Sequence, residues 1–117
     1  RVYASKSSPE NFYEGFMTGI LSSFGSRLSE LKVEHEAGLG FADIRFCDES
    51  TSSAMVIELK VAQNVKQARS SAQSAIEQIE GKGYASEYID EKEIPNVVAI
   101  GIAFYGKNCV VASKRLN

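Results

Sequence analysis

Three residues have the types and spacing for hydrolytic chemistry on a phosphate ester: Asp43, Glu58 and Lys60. Glu58 and Lys60 flank Leu59 at the end of the apolar run Ala54-Met55-Val56-Ile57, and Asp43 stands fifteen residues before Glu58 in a second apolar run. Alternate side chains of a strand share a face, so Glu58 and Lys60 project together while Ile57, Leu59 and Val61 project the other way. Two carboxylates about 4 Å apart repel by roughly 4 kcal/mol at an effective dielectric of 20. A fold keeps such a pair only if one acid is protonated or a cation sits between them. Mg2+ or Mn2+ suits oxygen donors, taking one or two carboxylates, water and a substrate phosphate. The expected metal ligands are therefore Asp43, Glu58 and the backbone carbonyl of Leu59. Lys60 would activate the attacking water or neutralise transition-state charge. The plainer reading is a Glu58–Lys60 surface pair beside an unrelated aspartate.

The elements that must position these residues are legible as patterns. Residues 8–30 read as one helix: Ser8 can cap it, Pro9 fits the first helical position, and Glu10 favours the positive end of the dipole. Phe12, Phe16, Ile20, Leu21, Phe24, Leu28 and Leu31 recur at three- and four-residue spacing and predict one broad apolar face. Residues 32–36 alternate as a short strand would, and Gly38-Leu39-Gly40 provides a turn. A second strand covers 41–47, with Phe41, Ala42, Ile44 and Phe46 mostly inward and Asp43 and Arg45 on the other face. After the polar loop 48–53 comes a third strand, 54–61.

A second helix spans about 64–80, where Ala68, Ala72, Ala75, Ile76 and Ile79 form a face small enough to pack close to a sheet. Gly81 and Gly83 punctuate it, and a further turn is expected over 84–88. The run 97–104 is apolar throughout, as in a strand buried on both sides, and 109–113 make a last strand. The fold class is α/β: a mixed central sheet of about five strands flanked by helices, in the order α-β-β-β-α-β-β. The first three strands form an antiparallel meander, and the helix before the fourth is a crossover that favours parallel pairing.

Composition is that of an ordinary globular chain, 44% hydrophobic and 24% charged over 117 residues. This suits a single domain covering 1–117 that buries about two-thirds of its unfolded surface. The net charge of −2 announces no global nucleic-acid-binding field. Cys47 and Cys109 make neither a disulfide framework nor a zinc site and are expected as small buried hydrophobes. No run approaches membrane-spanning length, and no signal-peptide pattern opens the chain. The start at Arg1 suggests a piece of a longer polypeptide, with the cytoplasm as default location.

Other matches carry less. Glu30-Leu31-Lys32-Val33 repeats the Glu-Leu-Lys-Val of residues 58–61, but it is expected to straddle a helix end with no upstream Asp-bearing strand; Glu80-x-Lys82 is a third Glu-x-Lys. His35 has no His or Cys partner for zinc and reads as structural or exposed. Gly38-x-Gly40 precedes a strand rather than a helix, which excludes a dinucleotide loop. Lys66, Arg69, Lys107, Lys114 and Arg115 could rim a phosphate-binding face, with scattered solvating charge as the plainer account. Glu14, on the flank of the first helix's apolar face, could bind the metal through water or simply be solvated.

The order of elements, with Asp43 on one strand and Glu58-x-Lys60 on the next, resembles the PD-(D/E)xK phosphodiesterase superfamily. Phe12-Tyr13-Glu14-Gly15-Phe16, Gly38-Leu39-Gly40-Phe41-Ala42-Asp43-Ile44, Ile57-Glu58-Leu59-Lys60, Gln78-Ile79-Glu80-Gly81-Lys82-Gly83-Tyr84-Ala85 and Gly101-Ile102-Ala103-Phe104-Tyr105-Gly106-Lys107 look like a bacterial branch found at the C-terminus of larger ATPase-like proteins. The resemblance covers about residues 9–111. It implies a restriction-endonuclease-like fold and a Mg2+- or Mn2+-dependent nuclease acting on DNA more than RNA. A homodimer or an ATPase-like neighbour would enlarge its grip on a duplex. Helicase-linked members carry a Gln followed four residues later by a Tyr that positions substrate. Gln78 matches the Gln, whereas Tyr84 falls six residues on, which leaves the tyrosine's role open.

Overall fold

A computed structural model of the chain describes residues 8–35 and 42–117. Helix α1 (Ser8–Ser22) leads through a short 3-10 turn (Gly25–Arg27) into strand β1 (Leu28–His35), followed by β2 (Ala42–Asp48) and β3 (Ser53–Val61). Helix α2 (Val65–Gly81) runs into a helical stretch, α3 (Tyr84–Ser86), and a π-helical turn (Glu87–Glu91); β4 (Asn96–Tyr105) and β5 (Asn108–Arg115) complete the chain. The five strands form one sheet in sequence order. β1, β2 and β3 are antiparallel neighbours, β3 pairs β4 in parallel, and β4 pairs β5 antiparallel. The mixed sheet and its crossover helix are those the sequence predicts. Among the described residues, no helix is long and apolar enough to cross a membrane.

The sheet separates two packed layers. On one side Leu21 of α1 packs with Ile44, Phe46, Ile57, Leu59, Ile102 and Phe104. On the other, Ile76 and Ile79 of α2 pack with Val56, Val97, Ala99 and Tyr88, and Ala68 and Ala72 pack with Ala103. Asn64 caps α2, its side chain accepting from the Gln67 amide at 2.8 Å. The small-residue face of α2 lies almost on β4: a Cβ at Gly101 would come within 2.2 Å of the Ala72 carbonyl oxygen and 2.8 Å of Ala75 Cβ. A side chain there would push the helix off the sheet.

Four expectations are corrected. The first helix ends at Ser22 rather than residue 30, because Gly25 adopts φ +59° and turns the chain. The first strand accordingly runs from Leu28, not residue 32, and Glu30-Leu31-Lys32-Val33 lies wholly within it. A bulge there sets Glu30 and Leu31 opposite Phe46, with Glu30 at φ +55°. The extra residue lets Leu28 and Val33, an odd number of positions apart, pack on the same layer. Of the expected apolar face of α1, Phe12, Phe16, Ile20 and Phe24 are exposed; the stripe that meets the sheet is Tyr13, Met17 and Leu21 at four-residue spacing. Cys47 is buried as expected, whereas Cys109 is exposed at the start of β5; neither forms a disulfide. The Gly38-Leu39-Gly40 turn, Phe41 and residue 36 lie outside the described residues, as do the side chains of Ser8, Pro9 and His35.

The α2–β4 contact predicts the effect of filling Gly101. Gly101→Ala should cost about 1–3 kcal/mol in urea unfolding, the usual penalty of overpacking. Gly15→Ala, which meets nothing within 4 Å on α1, should be neutral or stabilise by up to about 1 kcal/mol. Equal stability of the two variants would contradict this packing.

Candidate active site

Asp43 and Glu58 are direct cross-strand partners in the β2–β3 ladder. Both are buried, at 2% and 0% exposure, on the side of the sheet that α2 covers. Residues of β3 thus divide as the alternation predicts: Ile57 and Leu59 enter the α1-side core, while Val56 joins the α2-side core and Glu58 and Lys60 face the same way. Leu59 lies between Ala42 and Ile102 in the ladders on either side, so its backbone is held one residue from both charged side chains. Lys60 is 7% exposed. These burials remove the plainer reading of a solvated surface pair.

The donors come from α2 and the segment after it. Lys82 Nζ donates to Asp43 Oδ2 at 2.9 Å and to Glu58 Oε1 at 3.2 Å, joining the two acids on one cation. With the Gln78 amide oriented to satisfy both neighbours, its nitrogen donates to Glu58 Oε2 at 3.2 Å and its oxygen accepts from Lys60 Nζ at 2.8 Å. Gln78 therefore ties the motif glutamate to the motif lysine. Tyr84 donates its hydroxyl to Asp43 Oδ2 at 3.2 Å. The six-residue spacing from Gln78 still delivers this tyrosine because Gly83, at φ +76°, ends the helix and redirects the chain.

Behind this layer, Arg45 is 9% exposed and its guanidinium stacks over the Tyr84 ring at 4.7 Å. It also pairs with Glu34 at 3.0 Å and Glu87 at 3.3 Å. Burial opposes the arginine's charge, but the hydrogen bonds to Glu34 and Tyr88, with the nearby Tyr84, together outweigh it and raise the pKa above its ordinary value. Arg45 thereby fixes the ring that orients Asp43.

Glu14 stands half-buried on α1, beside Tyr13. Tyr13 stacks on Phe104 at 4.1 Å and donates to the Gly106 carbonyl, and Phe104 is opposite Val61, next to Lys60. Glu14 thus lies toward the Lys60 end of the sheet. Among the described residues, no group of three His, Cys, Asp or Glu side chains converges as metal ligands. Of the other Glu-x-Lys matches, Glu30 pairs with Lys92, and Glu80 with Lys114 at 2.9 Å. Lys66, Arg69 and Lys107 are exposed.

Sequence reasoning passed over Lys82 and Arg45 and left Tyr84 open. One signal was available: Lys82 follows Gln78 by one helical turn, so the two share a face. The grip of Arg45 on Tyr84 had no such signal, since it joins residues from β2 and α3.

Two buried carboxylates and a neighbouring backbone carbonyl form a set of hard oxygen donors, which fits Mg2+ or Mn2+. The Lys82 ammonium stands in for a cation between them. Residues present and group implied therefore fit.

Burial, then the charge of Asp43, pushes the Tyr84 hydroxyl up to about 12. Its neutral form is favoured in the fold, so this contribution to stability is complete below about pH 10 and is lost as pH rises from about 10 to about 12. Tyr84→Phe should show a shallower fall in unfolding free energy across that window. An unchanged slope would contradict a hydroxyl buried beside Asp43.

Among curated proteins and among solved structures, none matches the chain. A family model described as the PD-(D/E)XK nuclease superfamily matches residues 8–114. The match runs from the start of α1 to the penultimate residue of β5 and includes both acids and the lysine of the motif. By that match and by its five-stranded mixed sheet, the chain belongs to the PD-(D/E)XK nuclease superfamily.

Proposed function

We propose that this domain is a divalent-metal-dependent nuclease in which Asp43, Glu58 and the Leu59 carbonyl hold Mg2+ or Mn2+ and Lys60 serves the hydrolytic step. Superfamily members are generally nucleases and typically use divalent metals. The observation that carries the reading is the buried, register-matched Asp43–Glu58 pair with Lys60 aligned beside it through Gln78. A metal held there supplies positive charge to a phosphodiester and to the attacking water. Lys60, held by the Gln78 oxygen, presents an ammonium to developing negative charge. Gln78 and Tyr84 orient the two acids. Glu14 is assigned an auxiliary, water-mediated contact at the Lys60 end.

DNA is placed ahead of RNA as substrate, on the branch resemblance. The same resemblance motivates a parent protein with an ATPase-like domain; the small size of the domain motivates completion of the duplex-binding surface by a second copy or by that neighbour, and the cytoplasm is the default location. The second reading is a non-catalytic nuclease fold used as a binding module. The ammonium of Lys82 between the acids favours it, as does the net charge of −2.

Cleavage of plasmid, single-stranded DNA and RNA with Mn2+, beside Mn2+ calorimetry, separates the two. Asp43→Ala and Glu58→Ala should lose both metal binding and cleavage. Lys60→Ala should retain the metal and lose roughly two to four orders of magnitude in rate. Full cleavage by Glu58→Ala would overturn the assignment. No EDTA-sensitive cleavage of any substrate by the wild type would leave the binding module.

A further inference from the structure

Lys82 occupies the place between Asp43 and Glu58 that a divalent cation would take, donating to one oxygen of each acid. We propose that Lys82 is a built-in counter-cation, which keeps the metal-free site assembled and is displaced when Mg2+ or Mn2+ binds. The inference rests on the metal-site reading above.

Four observations support an exchangeable rather than a permanent ion pair. The first is charge. Lys82 sets one positive charge between the two acids, where a divalent ion in the same position would set two. The second is tether and exposure. Lys82 is the C-cap residue of α2, followed by Gly83 at φ +76°, and its side chain is 32% exposed. A long, flexible chain at a helix end can turn to solvent without disturbing the core. Lys60, by contrast, is 7% exposed and held by Gln78.

The third is that each acid has a second, neutral donor: Tyr84 for Asp43 and Gln78 for Glu58. These keep the carboxylates oriented without competing with a metal for charge. The fourth is that the two lysines divide the work by place. Lys60 projects from the strand beside Glu58, whereas Lys82 reaches between the acids from the opposing helix. Substituting Lys82 should therefore strengthen metal binding, whereas substituting Lys60 should leave it in place.

The test is Mn2+ calorimetry with melting in metal-free buffer, on wild type, Lys82→Met and Lys82→Arg, with Glu58→Ala as control. Lys82→Met should bind Mn2+ about ten-fold tighter than wild type, the scale of one close charge pair at a partly exposed site. Its metal-free melting temperature should fall by several degrees and recover with saturating Mn2+. Lys82→Arg keeps the charge and should bind no tighter than wild type. Binding to Lys82→Met with none measurable in wild type also supports the exchange. Glu58-dependent binding that is equal or weaker in Lys82→Met overturns the exchange while sparing the metal site. No binding by either protein removes the metal-site reading itself, and the exchange with it.

Discussion

Two carboxylates held side by side in the interior of a sheet set the terms for everything around them. Asp43 and Glu58 are fixed opposite one another by the β2–β3 register and are shut from water by α2 and the segment after it. Withdrawing one ionised group from water costs several kcal/mol, and a second of like sign nearby adds repulsion. Only positive charge and hydrogen-bond donors aimed at the pair make it tolerable, and the chain supplies them from one direction. Gln78, Lys82 and Tyr84 all approach from the C-terminal end of α2 and the turn beyond it.

That approach depends on how close the helix can come. Ala68, Ala72 and Ala75 give α2 a face with almost no side chain, and Gly101 removes the remaining obstacle on β4. A bulkier contact would lift the helix, lengthen every bond to the acids and leave two charges buried without partners. On the reverse side of the same strands, Ile44, Ile57, Leu59 and Ile102 form an apolar layer under α1. β3 therefore holds the site rigidly with one set of side chains while presenting chemistry with the other.

Much of this was legible because strand alternation is local. The sorting of Ile57 and Leu59 from Glu58 and Lys60 follows from spacing alone, as does the small-residue face of α2. The end of α1 was not legible. Apolar spacing continued through Leu28 and Leu31, whereas the left-handed turn at Gly25 and the bulge at Glu30 decided the backbone. Nor does periodicity say which stripe of an apolar helix is covered: the sheet accepts Tyr13, Met17 and Leu21 and leaves Phe12 and Phe16 outside. Lys82 and Tyr84 reach the acids across 39 and 41 residues of sequence; local spacing puts Lys82 on the face of Gln78 but does not encode which strands that face meets.

The central claim is that the Asp43–Glu58 pair is a cation site, and diffraction from crystals soaked in Mn2+ tests it most directly. The account predicts an anomalous-scattering peak in contact with both carboxylates and the Leu59 carbonyl, with the Lys82 ammonium withdrawn from between the acids. An intact Lys82 bridge with no peak at the pair, under saturating Mn2+, would contradict it.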